Sequence, residues 1–160
     1  MGAPIYGACR LTLSFDAMNI TNSLLMTLLL LATAWPVAAA DWVLVAHPKS
    51  GITRLTQDEV TNIYLGRYRR FASGGTAEPI DQLVDSTLRA DFYRQLVGKS
   101  PAEINAYWAR LVFSGKTQPP HVASSSEEAI QRVAHHPGAI AYVERPKADA
   151  RVVVVFEMTD

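Results

Sequence analysis

Residues 80–93 decide the fold, and they read Ile80-Asp81-Gln82-Leu83-Val84-Asp85-Ser86-Thr87-Leu88-Arg89-Ala90-Asp91-Phe92-Tyr93. A short apolar strand runs through a turn into a helix, because apolar side chains recur at helical spacing from Leu88 to Val97. Ser86 is a suitable N-cap, since a serine hydroxyl accepts a hydrogen bond from a free N–H of the first helical turn. The stretch therefore predicts one strand–turn–helix unit that ends before Gly98.

The beginning of this helix differs in charge from the other predicted helix starts. Three of those starts carry Glu three residues after the N-cap, the pattern of a capping box, at Thr56, Ser100 and Ser125. The same position after Ser86 is Arg89. A helix N-terminus has partial positive charge and free donors, so an end without a carboxylate suits an anion. We predict an anion site formed by Asp85, Ser86, Thr87 and Arg89; alternatively, Asp85 caps the helix and Arg89 lies on the surface.

Strands and helices alternate along residues 41–160. Strands are predicted at Trp42–Ala46, Pro79–Leu83, His121–Ala123, Ala139–Val143 and Val152–Phe156, with helices between them. This alternation predicts an α/β three-layer sandwich in a single domain. The run Val152–Val155 predicts a strand buried on both faces, as in a parallel sheet.

Residues 1–40 are predicted to be a signal peptide. The segment Leu24–Ala34 is almost wholly apolar, and Ala38-Ala39-Ala40 provides a small-residue cleavage site after Ala40. A membrane anchor is the competing interpretation, but the apolar run is shorter than the ~20 residues that span a bilayer. We therefore expect an exported, periplasmic protein that begins at Asp41.

The composition argues against several classes of function. The chain has 15 Lys and Arg against 15 Asp and Glu, so no basic excess indicates nucleic-acid binding. The four His residues have no ligand spacing, and we expect neither a metal nor a cofactor. No nucleophile elbow is present, and Gly98-Lys99-Ser100 lacks the earlier glycine of a phosphate loop, so we do not expect an enzyme.

One basic segment remains outside these assignments. Residues 66–71 read Gly-Arg-Tyr-Arg-Arg-Phe, with aromatic residues between the arginines. In a chain of balanced charge such a segment is a solvated loop or a patch that faces a protein partner.

Three segments, in order, resemble the periplasmic phosphate-binding proteins of ABC transporters. Leu55–Gly66 is similar to that family's Leu-Ser/Thr-x-x-x-hydrophobic-x-x-Ile-Phe/Tyr-x-Gly helix. Glu78-Pro79-Ile80 looks like the strand that enters its ligand loop, and Gly138–Val143 is similar to its Gly-Ala-Ile-Gly-Tyr-Val strand. The resemblance implies one lobe of a type 2 periplasmic binding protein-like fold.

The ligand loop departs from the family's Arg-Ser-Asp-Gly-Ser-Gly-Thr. Here residues 82–87 read Gln-Leu-Val-Asp-Ser-Thr, so Ser86 and Thr87 match the family's Ser and Thr, Asp85 stands in for its Asp, and Arg89 supplies charge. The resemblance implies binding of phosphate or a similar oxyanion, as the substrate-binding component of an ABC transporter. A second lobe, another copy or a membrane transporter would be the partner. The alternative is an accessory or interaction protein that kept the lobe without its ligand.

Overall fold

The computed structural model describes residues 42–158. Its strands are β1 (Trp42–Ala46), β2 (Glu78–Gln82), β3 (His121–Ala123), β4 (Ala139–Glu144) and β5 (Val153–Glu157). Its α-helices are α1 (Gln57–Tyr64), α2 (Thr87–Val97), α3 (Pro101–Phe113) and α4 (Ser126–His135), and Arg145–Lys147 forms a 3₁₀ turn. No helix in this part of the chain combines the length and apolar character needed to cross a membrane. The predicted signal peptide and its cleavage after Ala40 lie outside the described residues.

The five strands form one sheet in the order β3-β2-β4-β1-β5. Strand β2 pairs in parallel with both β3 and β4, whereas β1 pairs antiparallel with β4 and β5. The parallel strands β2, β3 and β4 therefore all end at the same edge of the sheet.

Helices cover both faces of the sheet, which confirms the predicted three-layer α/β sandwich. On one face, helices α1, α2 and α3 enclose a core with an aromatic centre, where the rings of Phe92 and Tyr142 stack 3.8 Å apart. On the other face, α4 buries Ala129, Ile130 and Val133 against the sheet. Large buried side chains on both sides of one sheet supply the apolar burial that stabilises a chain of this size.

The prediction for the last strand was wrong in part. Strand β5 is an antiparallel edge strand, and only Val155 of Val153–Val155 is fully buried. Val153 and Val154 are partly exposed because β5 has a neighbouring strand on one side only. An unbroken valine run has no alternation that would distinguish an edge strand from a central one.

The predicted helix starts are confirmed, but at one of them the Glu carboxylate bonds to a different residue from the one expected. Thr56 and Ser100 each form a complete capping box with the Glu three residues on. Ser125 accepts from the Glu128 N–H, but the Glu128 carboxylate bonds to Ser124 instead of closing on Ser125. Gly98 ends α2 with φ +64°, as its position after Val97 predicted.

Candidate functional site

A cleft of about 270 Å³ lies where β2, β3 and β4 end. In open α/β sheets ligands bind outside the carboxyl ends of parallel strands. The segments that follow all three strands line it: Gln82, Leu83, Asp85, Ser86, Leu88, Ser124, Ser125, Ser126, Glu144 and Lys147. We call this the strand-end cleft.

The beginning of α2 forms one wall of the strand-end cleft. Ser86 is the N-cap, and its Oγ accepts from the Arg89 N–H at 3.4 Å. Asp85 lines the cleft with an exposed side chain and does not cap the helix. Thr87 is exposed on the first turn. The backbone N–H groups at this end are those that a helix leaves without an internal partner.

The beginning of α4 forms the opposite wall, which was not among the predicted site residues. Ser125 caps this helix through the Glu128 N–H at 3.2 Å, and the backbone N–H of Ser124 donates to Glu128 at 2.8 Å. Hydrogen bonds from the Ser124 hydroxyl, the Ser124 N–H and the Arg132 side chain lower the pKa of the Glu128 carboxyl from 4.5 to about 2. The run Ser124-Ser125-Ser126 directly after a strand was the available signal. Two helix N-termini therefore meet in one cleft; the α4 end already holds the Glu128 carboxylate, whereas the first turn of α2 has no acidic residue and remains open to an anion.

A carboxylate and an ammonium group also face the cleft, from the end of β4. The Ser126 hydroxyl donates to Glu144, and Lys147 Nζ lies 3.0 Å from Glu144 Oε1. Partial burial raises the pKa of the Glu144 carboxyl, but hydrogen bonds from Ser126 and Lys147 outweigh it, so the pKa is lowered overall. Glu144 is thus ionised near neutral pH and engages two donors that an anion in the cleft could otherwise use.

Arg89 lies in the core instead of lining the cleft. Its side chain is 4% exposed, its Nε donates to Asp81 Oδ2 at 3.0 Å and its Nη2 donates to Asn105 Oδ1 at 3.1 Å. The guanidinium also sits over the Tyr93 ring, 5.1 Å from the centroid. The alternative with Asp85 as the cap and Arg89 on the surface is therefore not the observed arrangement, since Ser86 caps the helix.

Asp81 is the centre of this buried polar network. Its carboxylate accepts hydrogen bonds from the Gln82 N–H at 2.8 Å, Tyr93 Oη at 3.1 Å, Arg89 Nε and the Tyr142 hydroxyl. Burial, with the Asp81 charge next in importance, raises the pKa of the Tyr93 and Tyr142 hydroxyls, so both stay protonated and donate. The network fixes the end of β2 directly below the cleft. No cluster of three metal-ligating side chains occurs in residues 42–158.

The sheet order, the helices on both faces and the cleft at the strand ends define one lobe of a periplasmic binding protein-like fold. The protein is similar to a solved structure from Clostridium perfringens that is assigned as a phosphate ABC transporter substrate-binding protein and has phosphate bound. The two are 18% identical with a TM-score of 0.58, over 74% of this chain and 46% of that one.

Two further solved structures show the same fold. An ABC-type phosphate transport receptor from Vibrio cholerae is 14% identical with a TM-score of 0.56, over 73% of this chain and 47% of that one. A protein from Planctomyces limnophilus, proposed to bind phosphate, is 11% identical with a TM-score of 0.51, over 72% of this chain and 40% of that one. The chain thus spans about half the length of these relatives, which confirms the predicted single-lobe resemblance at the level of fold. No protein-family profile and no curated protein sequence matches the chain.

Proposed function

We propose that this protein is an exported oxyanion-binding protein, with phosphate as the ligand, and that it is the substrate-binding component of an ABC transporter. One observation carries the proposal: the N-termini of α2 and α4 converge on the strand-end cleft. Helix N-termini present free N–H donors and partial positive charge to an anion. The solved phosphate-bound relative adds support from the fold.

The donors of the proposed site come mainly from the first turn of α2. The backbone N–H groups near Thr87, together with the Ser86 and Thr87 hydroxyls, would bind the oxyanion. Asp85 would accept a hydrogen bond from a protonated phosphate oxygen. Arg89 adds charge from below, but its guanidinium is already paired with Asp81. We therefore infer that Arg89 contributes less to the anion than the helix end itself.

Two features make the proposed binding weak. Glu144 already holds the Ser126 hydroxyl and the Lys147 ammonium, so an incoming anion competes with a carboxylate. The cleft is also open to solvent, where an ion contact contributes only ~0–1 kcal/mol. We expect micromolar or weaker affinity for an isolated copy.

Calorimetric titration of the purified protein with phosphate, and separately with sulfate, tests the proposal. Phosphate should bind at micromolar or weaker affinity, and Glu144→Gln should bind it more tightly because Ser126 and Lys147 are released. Lys147→Gln should bind it less tightly. Absence of both a binding heat and a melting shift with millimolar phosphate would refute the proposed ligand.

Export is part of the same proposal and has its own test. Mass spectrometry of the protein from the periplasmic fraction should give a chain that begins at Asp41. A membrane-bound protein that retains Leu24–Ala34 would contradict it.

A second candidate function is an interaction protein whose lobe pairs with another copy or a partner lobe over the cleft. Leu83, which lines the strand-end cleft, and the adjacent Val84 favour it, because their side chains are apolar and 43% and 56% exposed. Light scattering distinguishes the two: a phosphate-independent dimer that Leu83→Ser disrupts supports the interaction protein, and a monomer that binds phosphate supports the first proposal.

A further inference from the structure

A second, larger groove lies at the opposite edge of the sheet, where β2 and β3 begin. It has a volume of about 680 Å³ and lies between the loop of residues 66–76 and the loop of residues 117–122. We call it the basic groove; its lining includes Tyr68, Arg69, Pro79, Trp108, Pro119 and Val122. Because β2 and β3 run in parallel from this edge to the strand-end cleft, the two clefts are at opposite ends of the same strands.

The loop beside the groove carries three arginines, of which Arg69 lines the groove itself. Within residues 42–158, Arg67, Arg69 and Arg70 take part in no ion pair. They donate instead to neutral acceptors: Arg67 to Asn62 Oδ1 at 3.2 Å, Arg69 to Thr117 Oγ1 at 3.1 Å, and Arg70 to the Gly74 carbonyl at 3.4 Å. Arg132 and Arg151 pair with Glu128 and Glu127, whereas Arg54 and Arg110 form no ion pair within the described residues; the loop differs in having three such arginines within four positions. The basic loop is therefore free to attract acidic groups.

The surface of the groove between these charges is apolar and concave. Tyr68 is 51% and Val122 47% exposed, and Pro79, Pro119 and Trp108 line the groove beside them. Glu78 is the carboxylate among the lining residues. The groove also reaches β3, which is an edge strand of the sheet and has a strand on one side only. An apolar groove beside a free strand edge is the form that binds an extended polypeptide.

We propose that the basic groove docks an extended, acidic segment of a partner protein. Arg69 pairs with a carboxylate of the segment, and Arg67 and Arg70 add positive charge from the same loop. Apolar side chains of the segment lie on Tyr68 and Val122, and its backbone runs along β3. An extended peptide fits better than an anionic membrane, because the apolar surface is concave and a flat bilayer contacts only the rim. This surface is separate from the strand-end cleft and does not depend on the proposed oxyanion ligand.

The test uses the full chain and a labelled eight-residue peptide of alternating Glu and Val, with a Lys–Val peptide of equal length beside it. Fluorescence anisotropy should detect the acidic peptide and not the basic one, and affinity should fall as salt is raised. Arg69→Glu should weaken binding at least tenfold. Arg54→Glu is the matched control, with the same change of charge at an exposed arginine outside the groove, and should weaken it less than threefold.

A second measurement locates the contact and separates it from the other proposal. Amide chemical shifts should change in residues 66–76 and 117–123, and Val122→Ser should reduce binding without changing the charge. Phosphate titration of Arg69→Glu should match the parent protein. Equal loss in Arg54→Glu, no binding of the acidic peptide, or preferential binding to phosphatidylglycerol vesicles would each overturn the proposal.

Discussion

Arg89 Nε lies 3.0 Å from Asp81 Oδ2, and both side chains are about 95% buried. The ion pair connects the first turn of α2 to the end of β2, so it holds together the strand and the helix that form one wall of the strand-end cleft. Asp81 accepts hydrogen bonds from three other donors, and these offset the cost of removing its carboxylate from water. One guanidinium nitrogen of Arg89, Nη1, is buried without a hydrogen-bond partner in the described residues.

The first prediction concerns this ion pair. Arg89→Met should lower the free energy of unfolding by about 3–5 kcal/mol, because it leaves the Asp81 carboxylate buried without its cation. Asp81→Asn combined with Arg89→Met should recover part of the loss, since no unpaired charge then remains. Chemical denaturation measures both variants. Arg94→Met, at an exposed ion pair on the same helix, is the control and should cost only ~0–1 kcal/mol.

The same variants examine how Arg89 acts in the anion site. If its charge reached the ligand, phosphate affinity of the folded Arg89→Met protein would fall by tenfold or more. We expect a smaller loss, because the guanidinium faces Asp81 and Asn105. A loss of tenfold or more, measured where the Arg89→Met protein is fully folded, would contradict the placement of Arg89 away from the ligand.

The second prediction separates capping from ligand binding. Ser86→Ala and Ser100→Ala each remove an N-cap hydroxyl, from α2 and α3 respectively, and each should cost about 1 kcal/mol of stability. Only Ser86 lines the strand-end cleft. The affinity for phosphate should therefore fall in Ser86→Ala and stay unchanged in Ser100→Ala. Calorimetric titration measures both affinities. Equal phosphate affinity in both variants would place the ligand elsewhere.

The sequence predicted the features that depend on neighbours along the chain. Capping at Thr56, Ser86 and Ser100 involves residues only three positions apart, and the glycine after Val97 ends its helix through its own backbone geometry. Alternation of strands and helices was sufficient for the sandwich.

Contacts between segments that are distant along the chain could not be predicted from the sequence patterns. Arg89, Phe92, Tyr93 and Leu96 share the buried face of α2 at helical spacing, so periodicity already pointed to the burial of Arg89. Its partner Asn105 lies sixteen residues away on another helix, and the sequence pattern gave no sign of that contact. Ser124–Ser126 joins Ser86 only because β3 and β2 pair in parallel, which brings their ends together. Half of the candidate cleft was therefore missing from the sequence prediction.

The third prediction concerns the turn after α1. Gly66 has φ +70°, and a Cβ there would lie 2.7 Å from the Trp108 ring. Gly51 has φ +73°, but a Cβ would meet nothing within 4 Å. Gly51→Ala should therefore show only the backbone cost, about 1 kcal/mol, whereas Gly66→Ala should add the displacement of Trp108. Thermal melting followed by tryptophan fluorescence should show the larger decrease in melting temperature for Gly66→Ala. Equal decreases in the two variants would mean that Trp108 moves freely.

The last prediction is the effect of acid on the α3 start. A hydrogen bond from Lys99, followed by those from Ser100, lowers the pKa of the Glu103 carboxyl from 4.5 to about 2. A carboxyl whose pKa is lower in the folded protein stabilises it above pH 4.5 and loses that contribution as the pH falls towards 2. At pH 7, Glu103→Gln should therefore melt at a lower temperature than the parent, and the gap should close between pH 4.5 and 2. Molar salt should reduce this difference in melting temperature at pH 7, because it screens the exposed Lys99–Glu103 pair. A difference in melting temperature that stays constant with pH would show that Glu103 stabilises the helix without its charge.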